Sequence, residues 1–181
     1  MKRFLAVSLA ALMLLAGCST DISEYQGKTP KLDIFRYFQG QTEAFGMVQD
    51  RSGKQIRRFH VALNGEVQAD TLTLSEQFVY DDGEKQQRVW HIRRVSADRY
   101  EGRAGDIEGV ATGQAAGNAF NWRYSMNVKA DGKTWLLHFD DWMYLQDDTH
   151  LFNKTAMTKF GFNVGTVTLF FTRKDSKGAT P

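Results

Sequence analysis

Phe120-Asn121-Trp122-Arg123-Tyr124-Ser125-Met126-Asn127-Val128-Lys129 alternates large apolar and polar side chains over ten residues without a break. Period two places Phe120, Trp122, Tyr124, Met126 and Val128 on one face and the polar set on the other, the pattern of a half-buried β-strand; a helical period of 3.6 does not fit it. Ala130-Asp131-Gly132-Lys133 follows as a turn, since Asp and Gly tolerate the backbone angles a tight reversal needs.

The same alternation extends outward in both directions. Downstream, Thr134 to Gln146 is apolar on both faces around Asp140 and Asp141. His150 to Lys159 reads as a strand or a helical turn, and Phe162 to Arg173 as a closing strand. Upstream, Arg99 to Gly117 carries Gly102, Gly105, Gly109, Gly113 and Gly117 among alanines, and reads as two short strands with a tight connection. Thr71 to Tyr80 sets Leu72, Leu74, Glu76, Phe78 and Tyr80 on one face; Asp81-Asp82-Gly83-Glu84 turns it into Arg88 to Val95. The register that buries Trp90 and Ile92 faces Phe78 with Trp90 and brings Arg94 or Arg88 near Glu76. Gln55 to Asn64 is another strand, and Asn64-Gly65 is a tight-turn signal or a bulge. Leu32 to Gln49 is an entry turn and first strand.

Nine or ten strands joined by short turns leave exposed edges unless the sheet closes. The expected fold is therefore all-β: an antiparallel up-and-down β-barrel, lipocalin-like, with a β-sandwich as the alternative.

The N-terminus has its own pattern. Lys2 and Arg3 precede an apolar run, Phe4 to Leu15, of 12 residues. That length suits a signal peptide and falls short of the ~20 residues of a membrane-spanning helix. Leu15-Ala16-Gly17-Cys18 then ends it with a lipobox, so residues 1–17 are expected to leave and Cys18 to carry the lipid. The polar residues 18–31 read as a lipidated N-terminus and tether, reaching at most about 45 Å. The barrel domain is expected over 32–174 and a disordered tail over 175–181. Residues 1–17 hold Lys2 and Arg3 and no acid, so the whole chain's 23 basic and 21 acidic residues become 21 and 21 after cleavage. A neutral domain offers no electrostatic case for nucleic acid. Cys18 is the only cysteine, so its lipidation excludes disulfides and thiol chemistry.

Several groups of residues together resemble a known family. They are Leu72, Leu74, Glu76, Phe78 and Tyr80-Asp81-Asp82-Gly83; Arg88, Trp90 and Ile92; Tyr100, Gly102, Asp106 and Gly109; and Trp122 with Tyr124. Asp140-Asp141-Trp142-Met143-Tyr144, Asn153 and Lys159-Phe160-Gly161 complete the set. Over roughly residues 30–173 this resembles a family of proteobacterial lipoproteins catalogued as a domain of unknown function. The resemblance implies a location and no catalytic residues. By similarity to enterobacterial lipoproteins, Ser19 in place of an aspartate implies the outer membrane, facing the periplasm.

Candidate chemistry is sparse. Glu76 shares the apolar face of its strand and must pair or take up a proton if that face is the core. Asp140 and Asp141 are adjacent on a strand, point to opposite faces and cannot act jointly on one substrate. His60, His91, His138 and His150 are scattered, and neither a Gly-x-Ser-x-Gly elbow nor a phosphate-binding glycine loop is present. No metal or cofactor is therefore expected, and an enzymatic role ranks last. The leading expectation is a binding module that holds a small apolar or lipid-like ligand, with Trp90, Trp122, Tyr124 and Trp142 as its apolar wall and Glu76 and Asp141 as polar anchors. The alternative is a solid barrel that acts as an envelope-assembly factor through a protein partner.

Overall fold

A computed structural model describes residues 20–130 and 132–174. Cys18, the signal peptide expected over 1–17 and the tail expected over 175–181 lie outside the described residues.

Ten strands form the structure: β1 (Gly40–Asp50), β2 (Gln55–Gln68), β3 (Thr71–Tyr80), β4 (Lys85–Arg94), β5 (Arg99–Arg103), β6 (Ile107–Ala116), β7 (Ala119–Ala130), β8 (Lys133–Leu145), β9 (His150–Lys159) and β10 (Phe162–Arg173). Each pairs antiparallel with the next, and β10 returns to β1 to close the barrel. Ala44 stands opposite Phe171 and Met47 opposite Thr168 across that closing seam. Closure satisfies the strand edges that a meander leaves open, and it excludes the sandwich. β7 is the strand quoted first above, extended by a residue at each end, and His150–Lys159 is a strand rather than a helical turn.

The two ends of the barrel differ. At one, the five-residue helix α1 (Ile34–Phe38) plugs the opening. Asp33 caps it, its carboxylate accepting from the backbone N–H of Phe35 at 2.9 Å and of Arg36 at 3.3 Å. Ile34, Phe35, Tyr37 and Phe38 are all buried, and only Arg36 points to solvent. Burying a side chain of that size contributes about 1.5–3 kcal/mol, which holds so short a helix where its own hydrogen bonds would not. The Tyr37 hydroxyl donates to the Thr149 carbonyl at 2.9 Å, and Arg94 pairs with Asp33 at 2.8 Å, pinning the plug to the wall. The turns after β1, β3, β5, β7 and β9 gather at the other, open end.

Three local expectations change. Asn64-Gly65 neither turns nor ends a strand; β2 runs through it. A Cβ on Gly65 would collide with the Phe38 carbonyl of α1, so the glycine is there for close approach of the plug. In the β3–β4 hairpin, Tyr80 N–H donates to the Glu84 carbonyl at 2.9 Å, a tighter turn than expected. Trp90 therefore faces Leu74, and Phe78 faces Gln86. The slip from the expected register is an even number of residues, so every side chain keeps its face. Third, the described part of the tether is laid on the barrel. Ile22–Tyr25 forms a 3-10 helix with an Asp21/Glu24 capping box. The Tyr25 ring sits 5.9 Å from Trp142 and 5.4 Å from Tyr144 on the outer wall, and Leu32 N–H donates to the Gly117 carbonyl at 2.8 Å.

Candidate functional site

The interior is layered. The half next to the plug is filled with large side chains: Trp90, Ile92, Tyr100, Phe120 and Trp122 are all buried, as are Leu72, Leu74 and Leu151. Trp122 stands edge-on to Trp90 at 5.6 Å and stacks near Phe120 at 5.6 Å. The glycines of β5 and β6 make this possible. A Cβ at Gly102 would lie 2.7 Å from the Trp122 ring, and one at Gly113 would collide with the rings of both Trp122 and Phe120. The small residues noted in the sequence thus create space, and aromatic rings occupy it.

Toward the open end the interior becomes polar. Arg88 on β4 lies opposite Glu76 on β3, with Nη1 3.4 Å from Oε2. The same guanidinium grips Asp106 in the β5–β6 turn, donating from Nε at 3.0 Å and from Nη2 at 2.7 Å to one oxygen. It also lies 5.3 Å from the Phe78 ring. Beside this network, Asp141 on β8 is 7% exposed. It accepts from the Asn153 side-chain amide on β9, and the Thr155 hydroxyl donates to Asn153 Oδ1 at 3.2 Å. Trp122 faces Asp141 across β7–β8, and Tyr124 faces Phe139, their rings stacked at 4.9 Å.

Arg88 therefore serves two carboxyl groups, Glu76 and Asp106, while Asp141 is held by Asn153. Burial pushes the Glu76 carboxyl up to about 7, with the Arg88 charge pulling it down and the Asp106 charge adding to the rise. Burial likewise pushes Asp141 up to about 7, against the hydrogen bonds from Asn153 and Thr155, and the Glu76 charge adds to the rise. Arg88 is held charged despite burial by Glu76 and Asp106. Tyr124 is raised well above its ordinary range, mainly by burial. Near neutrality Glu76 and Asp141 can each donate a hydrogen bond when protonated, or accept one and pair with a cation when ionised.

Of the residues singled out in the sequence, Glu76, Trp90, Trp122, Tyr124 and Asp141 come together inside. Trp142 does not. It lies on the outer face, stacked with Tyr144 at 6.1 Å and covered by Tyr25. Adjacent strand residues face opposite ways, so an inward Asp141 requires an outward Trp142. Asp140 is outward too, 3.3 Å from Arg123 and accepting from Asn121 at 2.7 Å. Asp106, Asn153 and Thr155 were not among the expected residues. Asn153 and Thr155 alternate with Leu151 on one face of β9, a pattern visible in the sequence; Asp106 sits in a turn, where no period marks direction.

Two depressions of the surface are lined mainly by outward-facing residues, the smaller reaching the inward Tyr124 and Phe139. One, of about 570 Å³, is lined by Phe45, Met47, His60, Phe152 and Phe170 among others. The other, of about 410 Å³, is lined by Arg123, Ser125, His138 and Asp140 with their neighbours.

The family described as "protein of unknown function (DUF3833)" matches residues 12–173. The chain belongs to that family. No curated protein matches the sequence. Among solved structures, this DUF3833 protein is similar to an S-type phycobiliprotein lyase from Guillardia theta, at 12% identity and a TM-score of 0.58, over 79% of this chain and 92% of that one. It is similar to a protein of the DUF3598 family from Nostoc punctiforme at 13% identity and a TM-score of 0.58, over 88% of this chain and 54% of that one. A protein from M. tuberculosis matches at 16% identity and a TM-score of 0.57, over 82% of this chain and 99% of that one. At such identities the likeness is one of fold, a lipocalin-like barrel.

Proposed function

We propose that this DUF3833 protein is an outer-membrane lipoprotein, held by a lipid on Cys18 and facing the periplasm, whose barrel binds a small apolar or lipid-like ligand at its open end. The observation that carries the reading is that two carboxyls point into the barrel below that mouth, Glu76 half-buried against Arg88 and Asp141 buried against Asn153. Two carboxyls raised to about 7 in one barrel are costly to keep, and such groups cluster where they act on something. The ligand's polar head meets Glu76 and Asp141, and its apolar body lies along Tyr124, Phe139 and Phe78, with Trp90 and Trp122 as the floor. A phycobiliprotein lyase is built on a barrel of this fold. The test is titration of the purified chain with a dansyl-labelled alkyl alcohol. Binding that falls at least tenfold in Glu76→Met/Asp141→Leu, with the far-ultraviolet spectrum retained, supports the site; binding unchanged by both substitutions overturns it.

A second reading is an envelope-assembly factor that contacts a protein partner. The outer-wall depression favours it, because Phe45 and Phe152 stand 64% and 47% exposed there. Loss of function in Phe45→Ser/Phe152→Ser but not in the interior variants would select it.

A further inference from the structure

The open end is lopsided. On one side, the adjacent β7–β8 and β9–β10 hairpins carry Trp135, Leu136, Phe160, Phe162 and Val164, all classed among the exposed large apolar residues. Phe160 is 86% and Phe162 77% exposed. Lys129, Lys133 and Lys159 punctuate them, against the single acid Asp131. Lys159 Nζ lies 3.2 Å from the Trp135 ring and Lys133 Nζ 6.0 Å from it. The β3–β4 hairpin has the opposite character, with Asp81, Asp82 and Glu84 at its turn.

Phe160 bears on this most directly. It and Gly161 form the β9–β10 turn at φ 51° and 81°. Both positions of such a turn favour Gly, Asn or Asp, because a β-carbon there crowds the backbone. A phenylalanine is strained at that place, and its ring is nearly bare, so no packing within the barrel explains it. Exposed aromatic rings beside lysines are the composition of a membrane–water interface, where rings sit at headgroup depth and ammonium groups reach phosphates.

The N-terminal segment supplies an independent direction. From Leu32, bonded at the plugged end, the preceding chain runs back along the outer wall past Tyr144 and Trp142. Asp21 lies near enough to Arg123, midway along β7, to feel its charge. Ile22–Tyr25 therefore lies along β6 and β7, with Asp21 on the Arg123 side of it. Residues 1–19 lie beyond, with Cys18 three residues from Asp21, a reach of at most about 11 Å. The first described residues thus lie over β7, one of the two strands of the β7–β8 hairpin.

We propose that the β7–β8 and β9–β10 hairpins form a bilayer-contacting rim that seats the barrel mouth on a phospholipid surface containing anionic lipid. Phe160 and Phe162 enter the headgroup region, Trp135 lies at its border, and Lys129, Lys133 and Lys159 meet the phosphates. The acidic β3–β4 turn is held away, so the barrel stands tilted with its mouth facing the lipid. This rests on the rim and on the course of the segment before β1, and holds whether or not the interior carries a ligand.

The test uses the full chain reconstituted with phosphatidylcholine/phosphatidylglycerol vesicles containing phospholipids brominated near the headgroup. Tryptophan quenching is read in the native chain, in Trp135→Phe and in Phe160→Ser/Phe162→Ser, and sedimentation records how much protein stays on the vesicles. The expected result is quenching in the native chain that largely disappears in Trp135→Phe. It should fall at least threefold in Phe160→Ser/Phe162→Ser, while the sedimented fraction is held up by the N-terminus. Quenching that is absent in the native chain, or unchanged by loss of either Trp135 or the two phenylalanines, overturns the proposal. Quenching equal on vesicles of phosphatidylcholine alone overturns the role given to the lysines.

Discussion

Stability should fall as pH rises from 4.5 to 8, with Glu76 and Asp141 both contributing, and Glu76→Gln should remove the Glu76 share of that fall. The sign follows from where the proton is held. Unfolded, Glu76 releases its proton near 4.5; folded, near 7, because burial outweighs the attraction of Arg88. Between those values the native state keeps a proton that the unfolded chain has lost, so acidification favours folding. The contribution is whole below about 4.5 and gone above about 7. At about 1.4 kcal/mol per tenfold change in proton affinity, the loss is about 3 kcal/mol. That is a large share of the ~5–15 kcal/mol that holds a domain of this size, and corresponds to a fall of roughly 6–12 °C in Tm. Surface carboxylates with lowered values, Asp82 and Asp147 among them, act in the opposite sense at acid pH. The quantity to measure is therefore the difference between variant and native chain. Urea denaturation followed by tryptophan fluorescence at pH 4.5, 6 and 8 gives it directly. Glutamine imitates the protonated acid, so the variant should lie within about 1 kcal/mol of native at pH 4.5 and gain about 3 kcal/mol on it by pH 8. Parallel profiles for the two chains would refute the reasoning, since they would mean Glu76 titrates alike folded and unfolded.

Arg88→Met should destabilise by about 3–5 kcal/mol at pH 8, where it strands Glu76 and Asp106, and by clearly less at pH 5; the same denaturation series checks it. Gly113→Ala should cost about 1–3 kcal/mol by forcing a methyl against Trp122 and Phe120, with a changed near-ultraviolet spectrum as its signature. Cys18→Ser should leave the chain unprocessed and without the added mass of an acyl-glyceryl group, read by intact-protein mass spectrometry; a native chain lacking that mass would refute the lipoprotein reading.

The fold was legible where period two was strong. Phe120 to Lys129 marked β7 and its inward face, and the short turns pointed to a closed sheet. What escaped the sequence came from contacts between distant elements. Gly65 looks like a turn until the Phe38 carbonyl is placed over it. Residues 21–31 look like a tether because Tyr25 has no apolar neighbours in sequence; its partners are Trp142 and Tyr144, more than a hundred positions away. The candidate site was legible in the same uneven way. Glu76 stood out as an acid on an apolar face, and Arg88 as one of its two expected partners. Trp142 is aromatic and adjacent to Asp141, yet alternation along β8 allows only one of the two inside. Asp106 is among the residues that carry the family resemblance, but it sits in the β5–β6 turn, where no alternation marks it as a partner of Arg88.

The most direct measurement is solvent extraction of the chain purified from the cells that make it, followed by mass spectrometry of what is released. A small apolar molecule, distinct from bulk phospholipid, should be recovered in near-stoichiometric amount from the native chain and be lost from folded Glu76→Met/Asp141→Leu. Recovery of bulk phospholipid alone, in equal amounts from both, would contradict a ligand held by Glu76 and Asp141.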